Sequence, residues 1–221
     1  MRGRPDPLPW DGYCDRWSTT HGGYDPRRSP SPVRGWLRLC HRIGAALARR
    51  GVRSPDAVTT IGVLASAVVP VLAFLAPRAA PVAALLVLLT AFADTIDGVL
   101  AVVADRATRL GHVYDATADR VTEALWLVAF AALGAPPWLA ASCGAVMWLH
   151  EYVRARASVA GMTGIGTVTI AERPTRVLIA MFGLLVAPLD TRAATVTLAI
   201  ALAVSLIGFA QLIAAVRRAL R

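Results

Sequence analysis

The sequence has little charge and no lysine. Charged residues make up 17% of the 221-residue chain, against about 25% in typical soluble domains, and all 23 basic residues are arginine. Hydrophobic residues reach 56%, and the mean hydropathy is +0.55. This composition excludes an ordinary soluble domain or a disordered regulator and predicts a polytopic membrane protein. The formal net charge of +9 favours anionic partners such as lipid headgroups and phosphates, whereas the hydrophobicity argues against nucleic acid.

Cysteine is scarce as well. Cys14, Cys40 and Cys143 are spaced for neither a zinc site nor a disulfide framework, so we expect three reduced thiols. No apolar segment follows the first charges, as it would in a signal peptide. Residues 1–31 are instead polar and rich in proline, glycine and arginine. They predict a cytoplasmic N-terminal tail with little structure of its own.

Residues 32–50 have a different pattern. Apolar side chains recur at three- and four-residue steps, as in Trp36, Cys40, Ile43 and Leu47, while arginines occupy the other faces. The pattern predicts a basic amphipathic juxtamembrane helix that lies in the membrane interface. A soluble helix that packs on another domain is the alternative, and the absence of another domain in this chain disfavours it.

Six apolar segments follow, each near the ~20 residues that cross a bilayer as a helix. Ser54-Pro55 is a typical helix start, and we expect a six-helix transmembrane catalytic domain over residues 54–218. Eleven arginines lie in the first 56 residues, so the positive-inside rule places both termini in the cytoplasm. The expected fold is an all-α, multi-pass protein of the plasma membrane. The predicted spans are 56–76, 80–104, 111–133, 136–156, 172–189 and 192–216, with a Gly/Thr-rich loop at 158–170.

Four aspartates interrupt two of these spans. Asp94 and Asp97 lie in the second, and Asp115 and Asp119 lie in the third. A charge at the membrane centre costs about 2.5–3.5 kcal/mol on insertion scales, so four require compensation. The spacings i,i+3 and i,i+4 put each pair on one helix face, and the short connection makes the two helices antiparallel neighbours. Four carboxylates converging without His or Cys suit Mg²⁺, Mn²⁺ or Ca²⁺.

Two other interpretations fit the carboxylates on spacing alone. One is a proton relay in a cation or proton transporter, and the other is a structural network with Arg106 and Arg120. A transporter requires polar residues through several spans to the far side, whereas here they stop in the cytoplasmic half. Gly98 follows Asp97 directly and Gly111 opens the third span. The missing side chains allow a ligand or a backbone to approach closely, although glycines also pack membrane helices.

The combined pattern resembles a known signature. Residues 94–101 read D-T-I-D-G-V-L-A, and residues 111–119 read G-H-V-Y-D-A-T-A-D. This closely resembles the signature of the CDP-alcohol phosphatidyltransferases, D-x-x-D-G-x-x-A-R, eight residues, then G-x-x-x-D-x-x-x-D. The resemblance covers about residues 32–216. One position departs from it, because Val102 stands where the signature has arginine, and Arg106 one turn later is the candidate substitute.

The resemblance implies a metal-dependent transferase of phospholipid biosynthesis. A phosphatidyl group would move from a CDP-alcohol, most often CDP-diacylglycerol, to an alcohol acceptor, and CMP would leave. Two Mg²⁺ or Mn²⁺ ions are implied on the four aspartates, with Asp119 also the general base. The implied nucleotide-binding residues are Asp56, Thr59, Asp94, Gly98, Ala101, Arg106, Gly111 and Asp115.

The same resemblance implies a homodimer in the lipid bilayer. Because Val102 replaces the signature arginine, the alternative is a non-catalytic homologue that binds a CDP-lipid without turnover. Such a protein would bind metal and nucleotide but release no CMP.

A second group of arginines bears on the acceptor. Arg154 ends the fourth span, and Arg173 and Arg176 open the fifth. Arginine suits multidentate binding of phosphate, although the positive-inside rule alone also explains these positions. The segments Y-V-R-A-R-A and A-E-R-P-x-R are similar to those of phosphatidylinositol-phosphate and phosphatidylglycerol-phosphate synthases within the family. The resemblance implies that the three arginines bind the phosphate of inositol phosphate or glycerol 3-phosphate.

Overall fold

A computed structural model describes residues 7–20, 23–162 and 168–221. These ranges contain eight α-helices and no β-strand. The chain divides into two compact units, Met1–Gly62 with Ala91–Ala118, and Val63–Thr90 with Asp119–Arg221. The helices are α1 Trp10–Thr20, α2 Ser31–Arg49, α3 Pro55–Leu75, α4 Ala80–Val103, α5 Arg109–Ala132, α6 Pro137–Val159, α7 Arg173–Val186 and α8 Ala193–Ala219.

Helices α3 to α8 coincide with the six predicted apolar segments. Within the described part of the chain, three stretches are long and apolar enough to cross a membrane, Pro55–Leu75, Pro77–Val103 and Ala193–Ala219. Helix α5 carries several charged side chains, and α7 has 14 residues, which is about 21 Å of helix against a hydrocarbon core of about 30 Å. The all-α fold is confirmed, with three candidate membrane spans, and the count of six spans stays a prediction. Residues 163–167 of the predicted loop lie outside the described residues.

The N-terminal segment contains a helix, α1, although the sequence predicts little structure before residue 32. Trp10, Tyr13, Cys14 and Trp17 recur at the three- and four-residue steps of one helix face. Tyr13 and Cys14 are fully buried in an apolar cluster of the first unit, together with residues of α2 and α4. An 11-residue helix is marginal in isolation, so this packing against other helices is what stabilises α1.

Helix α2 covers the segment that was predicted to be amphipathic, and apolar residues of this helix pack within the first unit. A Cβ built on Gly44 would lie 2.6 Å from Val99 Cγ1, so only glycine permits this approach of α2 to α4. Trp36 Nε1 donates a hydrogen bond to Thr95 Oγ1 over 3.2 Å. Part of the apolar face therefore contacts protein, and the location of α2 in the membrane interface stays a prediction.

The second unit contains close contacts between small residues. A Cβ on Gly183 would collide with the side chain of Thr197, and one on Gly208 would collide with Ala171. Cys143 Sγ lies 3.2 Å from the carbonyl oxygen of Leu198. Small residues at helix contacts let backbones approach closely, which is how membrane helices associate without a hydrophobic driving force.

Candidate active site

Three of the four predicted aspartates come together in the first unit. Carboxylate oxygens of Asp94, Asp97 and Asp115 all lie within 4.8 Å of one another. Asp97 is 3% exposed, and the other two are half-buried. Like charges at this separation repel each other strongly in a poorly solvated site. The arrangement therefore has the chemistry of a site for a hard divalent cation.

Thr59 holds one of these carboxylates. Its Oγ1 donates a hydrogen bond to Asp97 Oδ2 over 2.5 Å, and both side chains are buried. A partner of this kind fixes the orientation of a metal-ligating carboxylate. Thr59 lies in α3, and Ser54 caps the start of that helix as predicted, because its Oγ accepts a hydrogen bond from Ala57 N–H. Thr59, predicted to contact a nucleotide, is placed by the structure as a partner of the aspartate group.

A short turn leads from α4 to α5. The N–H groups of Asp105 and Arg106 donate back to the carbonyl oxygens of Val102 and Ala101, which closes α4 in the manner of a Schellman motif. Asp105 has φ 53°, the left-handed conformation that this motif requires and that aspartate tolerates better than most residues. The side chain of Arg106 is exposed at this turn.

The first turn of α5 depends on a glycine. Thr108 Oγ1 accepts a hydrogen bond from Gly111 N–H over 2.8 Å, as an N-cap does. A Cβ on Gly111 would lie 2.9 Å from Thr108 Oγ1 and 3.4 Å from Asp56 Oδ1. The missing side chain thus lets both polar groups approach the helix start. Two predicted nucleotide-binding residues, Asp56 and Gly111, are neighbours here.

The remaining predicted nucleotide residues on α4 face the N-terminal helix. A Cβ on Gly98 would lie 3.9 Å from Trp17 Cζ3. Ala101 lines a pocket of about 570 Å³ between α1 and the end of α4. Arg16 lines the same pocket and donates to Asp105 Oδ1 over 2.7 Å. Arg16 and Trp17 lie before the segment that resembles the family, so the signature gave no indication of them. The only signal in the sequence was the helical spacing of the aromatic residues in α1.

Asp119, the fourth aspartate, belongs to the second unit and follows Asp115 by one turn of α5. Its Oδ1 forms an ion pair with Arg173 Nη1, and Arg120 Nη2 lies 3.8 Å from its Oδ2. Both the aspartate and Arg173 side chains are less than one fifth exposed. The structure thus joins the predicted general base to one of the predicted acceptor-binding arginines.

Arg176, another predicted acceptor ligand, is buried among carboxylates. Its Nη1 donates to Glu123 Oε1 and its Nη2 donates to Glu151 Oε1, each over 3.0 Å. Glu123 also accepts from Arg120 Nη2 over 3.0 Å. Arg176 and Glu123 side chains are each 2% exposed, so this pair joins α5 to α7 and has little surface for a ligand.

Arg154 is more accessible than Arg176. Its two terminal nitrogens donate to the two oxygens of Glu172 over 2.9 and 2.5 Å. Thr169 N–H and Oγ1 also donate to Glu172, each over 2.9 Å. The side chain of Arg154 remains 25% exposed. Arg154 and Arg173 are therefore the members of the predicted group that keep some surface for an anion.

The family model of the CDP-alcohol phosphatidyltransferases matches residues 52–207. The chain is 32% identical over 155 residues to the phosphatidylinositol phosphate synthase of Mycobacterium marinum, covering 67% of this chain and 64% of that protein. The match thus spans less than two thirds of that relative's length.

Two crystal structures of the Mycobacterium tuberculosis phosphatidylinositol phosphate synthase have the same fold, each at 26% identity. The structure with CDP-DAG bound has a TM-score of 0.63 over 81% of this chain and 94% of that chain. The structure in complex with manganese and citrate has a TM-score of 0.65 over 80% of this chain and 88% of that chain. The aspartate group lies inside the matched segment, and the chain belongs to the CDP-alcohol phosphatidyltransferase family.

Proposed function

We propose that this chain transfers a phosphatidyl group from CDP-diacylglycerol to inositol phosphate and releases CMP. The observation that carries the proposal is the group formed by Asp94, Asp97 and Asp115, within 4.8 Å of one another at the signature positions of the family. Relatives at about one third identity are phosphatidylinositol phosphate synthases, and the solved neighbour binds CDP-DAG. Membership of a transferase family disfavours the transporter interpretation.

The residues present fit a divalent metal. Three carboxylates supply hard oxygen ligands, and Thr59 orients the most buried of them. These aspartates, with Asp119, would hold two Mg²⁺ or Mn²⁺ ions, and manganese is bound in the solved neighbour. When bound, the ions neutralise charge on the donor phosphates and act as Lewis acids. The chain's own contribution is to place the carboxylates.

The reaction forms one bond and breaks one. The acceptor hydroxyl oxygen attacks the lipid-side phosphorus of the donor, and the bond from that phosphorus to the CMP oxygen breaks. Asp119 takes the hydroxyl proton, which requires hydrogen-bond reach of that oxygen. In the structure Asp119 pairs with Arg173. We propose that an acceptor phosphate competes for this arginine, so that acceptor binding turns Asp119 toward the hydroxyl group.

The acceptor phosphate is proposed to bind Arg154 and Arg173, which are both partly exposed. Arg176 is held by buried Glu123 and half-buried Glu151, so we propose a structural role for it rather than a direct contact with the acceptor. The nucleotide of the donor is proposed to lie along Gly98 and Ala101. Further contacts with it are proposed from Asp56, Thr59, Asp94, Arg106, Gly111 and Asp115. Inositol phosphate is preferred to glycerol 3-phosphate as acceptor because of the relatives' activity.

The finer architecture is part of the proposal. Helices α3 to α8 would cross the plasma membrane, with both termini in the cytoplasm. The distribution of arginine supports this orientation, since eleven lie in the first 56 residues. The homodimer rests on the family resemblance alone.

The test is release of CMP by the purified full chain in lipid nanodiscs with CDP-diacylglycerol and Mn²⁺. We expect release with inositol phosphate and none with glycerol 3-phosphate or inositol. Asp97→Asn should lower the rate about a hundredfold or more, because it removes a metal ligand whose supporting contacts alone are worth 10–100-fold in such sites. Asp190→Asn, in the exposed turn before α8, is the matched control and should keep the wild-type rate.

Two outcomes would contradict the proposal. CMP release that persists in a chelator and in Asp97→Asn would exclude the metal-dependent mechanism. A folded chain that binds metal but releases no CMP with any acceptor would make it the non-catalytic homologue. Release with glycerol 3-phosphate alone would keep the enzyme class and change the acceptor.

A further inference from the structure

Helix α1 lies before the segment that matches the family, which begins at residue 52. Even so, it is packed onto the part of α4 that carries the signature. Tyr13 and Cys14 are fully buried in one cluster with Val99 and Val102. The ring of Trp17 faces the open side of Gly98. Helix α1, which lies outside the matched segment, thus covers the part of α4 that carries the signature.

A pocket of about 570 Å³ lies between α1 and the end of α4. This volume is within the range of small-molecule sites in proteins. Small side chains form part of its lining, and the polar groups beside them are one guanidinium, two carboxylates and one hydroxyl group. The lining residues used in the argument are Gly12, Asp15, Arg16 and Thr19 from α1, with Ala101 and Asp105 from the other side.

Arg16 is held at this pocket by an exposed ion pair. The distance from Arg16 Nη1 to Asp105 Oδ1 is 2.7 Å, with 49% and 84% of the two side chains exposed. An ion pair this exposed contributes little to stability, so exchanging Asp105 for an anionic ligand costs the guanidinium little. Asp15 is paired separately, with Arg27 at 2.6 Å.

The pocket lies next to the aspartate group along α4. Ala101 follows Asp97 by four residues and therefore shares its helix face. Val102, where the signature has arginine, is 7% exposed, and it belongs both to the apolar cluster under α1 and to the lining of this pocket. The end of α4 thus presents no cation of its own at that position, and Arg16 brings one from α1. A guanidinium can hydrogen-bond phosphate and can stack on a base.

We propose that α1 forms one wall of the donor's nucleotide site and that Arg16 binds the nucleotide in place of an arginine at position 102. The inference rests on the proposed function, because it takes the donor to be a cytidine nucleotide held beside Asp97. It goes beyond that function by assigning a binding role to a helix outside the family segment.

The experiment measures the affinity of the full chain for CDP in the presence of Mn²⁺, by calorimetry in nanodiscs. Arg16→Gln should weaken CDP binding about tenfold, the usual effect of losing a hydrogen bond from a charged group. It should leave Mn²⁺ binding without nucleotide unchanged. Arg16→Lys should recover part of the affinity. Arg49→Gln removes a positive charge from the exposed end of α2 and is the matched control, expected to bind CDP like the wild type.

Alkylation of Cys14 shows whether α1 stays packed. The thiol is fully buried, and it should stay protected from N-ethylmaleimide in Arg16→Gln. Weaker CDP binding with Cys14 protected supports a direct contact from Arg16. Unchanged CDP affinity overturns the inference, and so does a loss of affinity that comes with exposure of Cys14, since Arg16 would then act only by holding α1.

Failure of the proposed function gives a different result. In that case the wild-type chain would bind no CDP with Mn²⁺, or Asp97→Asn would bind CDP as tightly as the wild type. Either finding overturns the proposed function, and this inference falls with it. If wild-type binding depends on Asp97 and Arg16→Gln has no effect, the proposed function stands and only the role of Arg16 is rejected.

Discussion

Val102 is the residue at which this chain leaves the family signature, and its surroundings explain what it does here. The side chain is 7% exposed and belongs to the cluster that holds Tyr13 and Cys14 of α1. Val102 also lines the pocket beside α1, so an arginine at this position would bring its charge to that pocket only by displacing apolar contacts with α1. Valine fits this packing without adding a charge.

We predict that Val102→Arg destabilises the protein and does not raise its activity. A larger, charged side chain that crowds a packed apolar cluster is costly, and changes of this kind commonly lower the free energy of unfolding by about 2–4 kcal/mol. Val102→Ala is the control, with an expected loss of about 2 kcal/mol from two buried methyl groups. Thermal unfolding in detergent measures both.

The reactivity of Cys14 measures whether α1 stays packed in Val102→Arg. Burial raises the pKa of its thiol to about 11, so at pH 8 the wild-type thiol is protonated and slow to react. In Val102→Arg the thiol should become reactive as α1 separates. An arginine variant that is as stable as the wild type and more active would show that position 102 faces the donor.

At the scale of helices, a buried ion pair joins α5 to α7 and a partly buried one joins α6 to α7 within the second unit. Glu123 of α5 and Glu151 of α6 both accept hydrogen bonds from Arg176 of α7. Arg120 adds a second cation at Glu123. Removing one member of such a group leaves a buried charge without compensation, and this costs more than the pair itself contributes.

We predict that Glu123→Gln lowers the free energy of unfolding by about 3–5 kcal/mol. Glu172→Gln, which breaks the partly exposed pair with Arg154, should cost only about 1–2 kcal/mol. Thermal unfolding of the two variants side by side tests the difference. Equal losses would mean that burial does not distinguish the two pairs, contrary to their exposures of 2% and about one quarter.

The helices differ in how strongly the sequence predicts them. The bounds of α3, α4 and α8 follow from length and hydropathy, because a bilayer-spanning helix must be long and apolar. Helix α1 is short and mostly polar, and four apolar positions in 11 residues are a weak signal against a Pro- and Gly-rich background. Its stability comes from contacts with α2 and α4, which are distant in sequence.

At the scale of the whole molecule, the sequence predicts the ligands of the site better than their partners. Spacing along α4 and α5 predicted that Asp94, Asp97 and Asp115 come together, because helix geometry fixes which residues share a face. The pairing of Asp119 with Arg173 joins residues 54 positions apart along the chain. Side-chain contacts of this kind depend on tertiary packing, which no local pattern encodes.

The aspartate group gives a prediction for the stability of the whole chain. A ligand that binds only the folded state stabilises it, by about 2.7 kcal/mol at one hundred times its dissociation constant. For a chain of this size, this corresponds to a rise in the unfolding midpoint of about 5–10 °C. We expect Mn²⁺ to produce this rise in the wild type and in Asp190→Asn, and we expect Asp97→Asn to lose it. Because Asp97 is buried and held by Thr59, the Asn variant should fold and differ chiefly in its response to metal. A rise of equal size in Asp97→Asn would place metal binding elsewhere in the chain and remove the basis for the proposed mechanism.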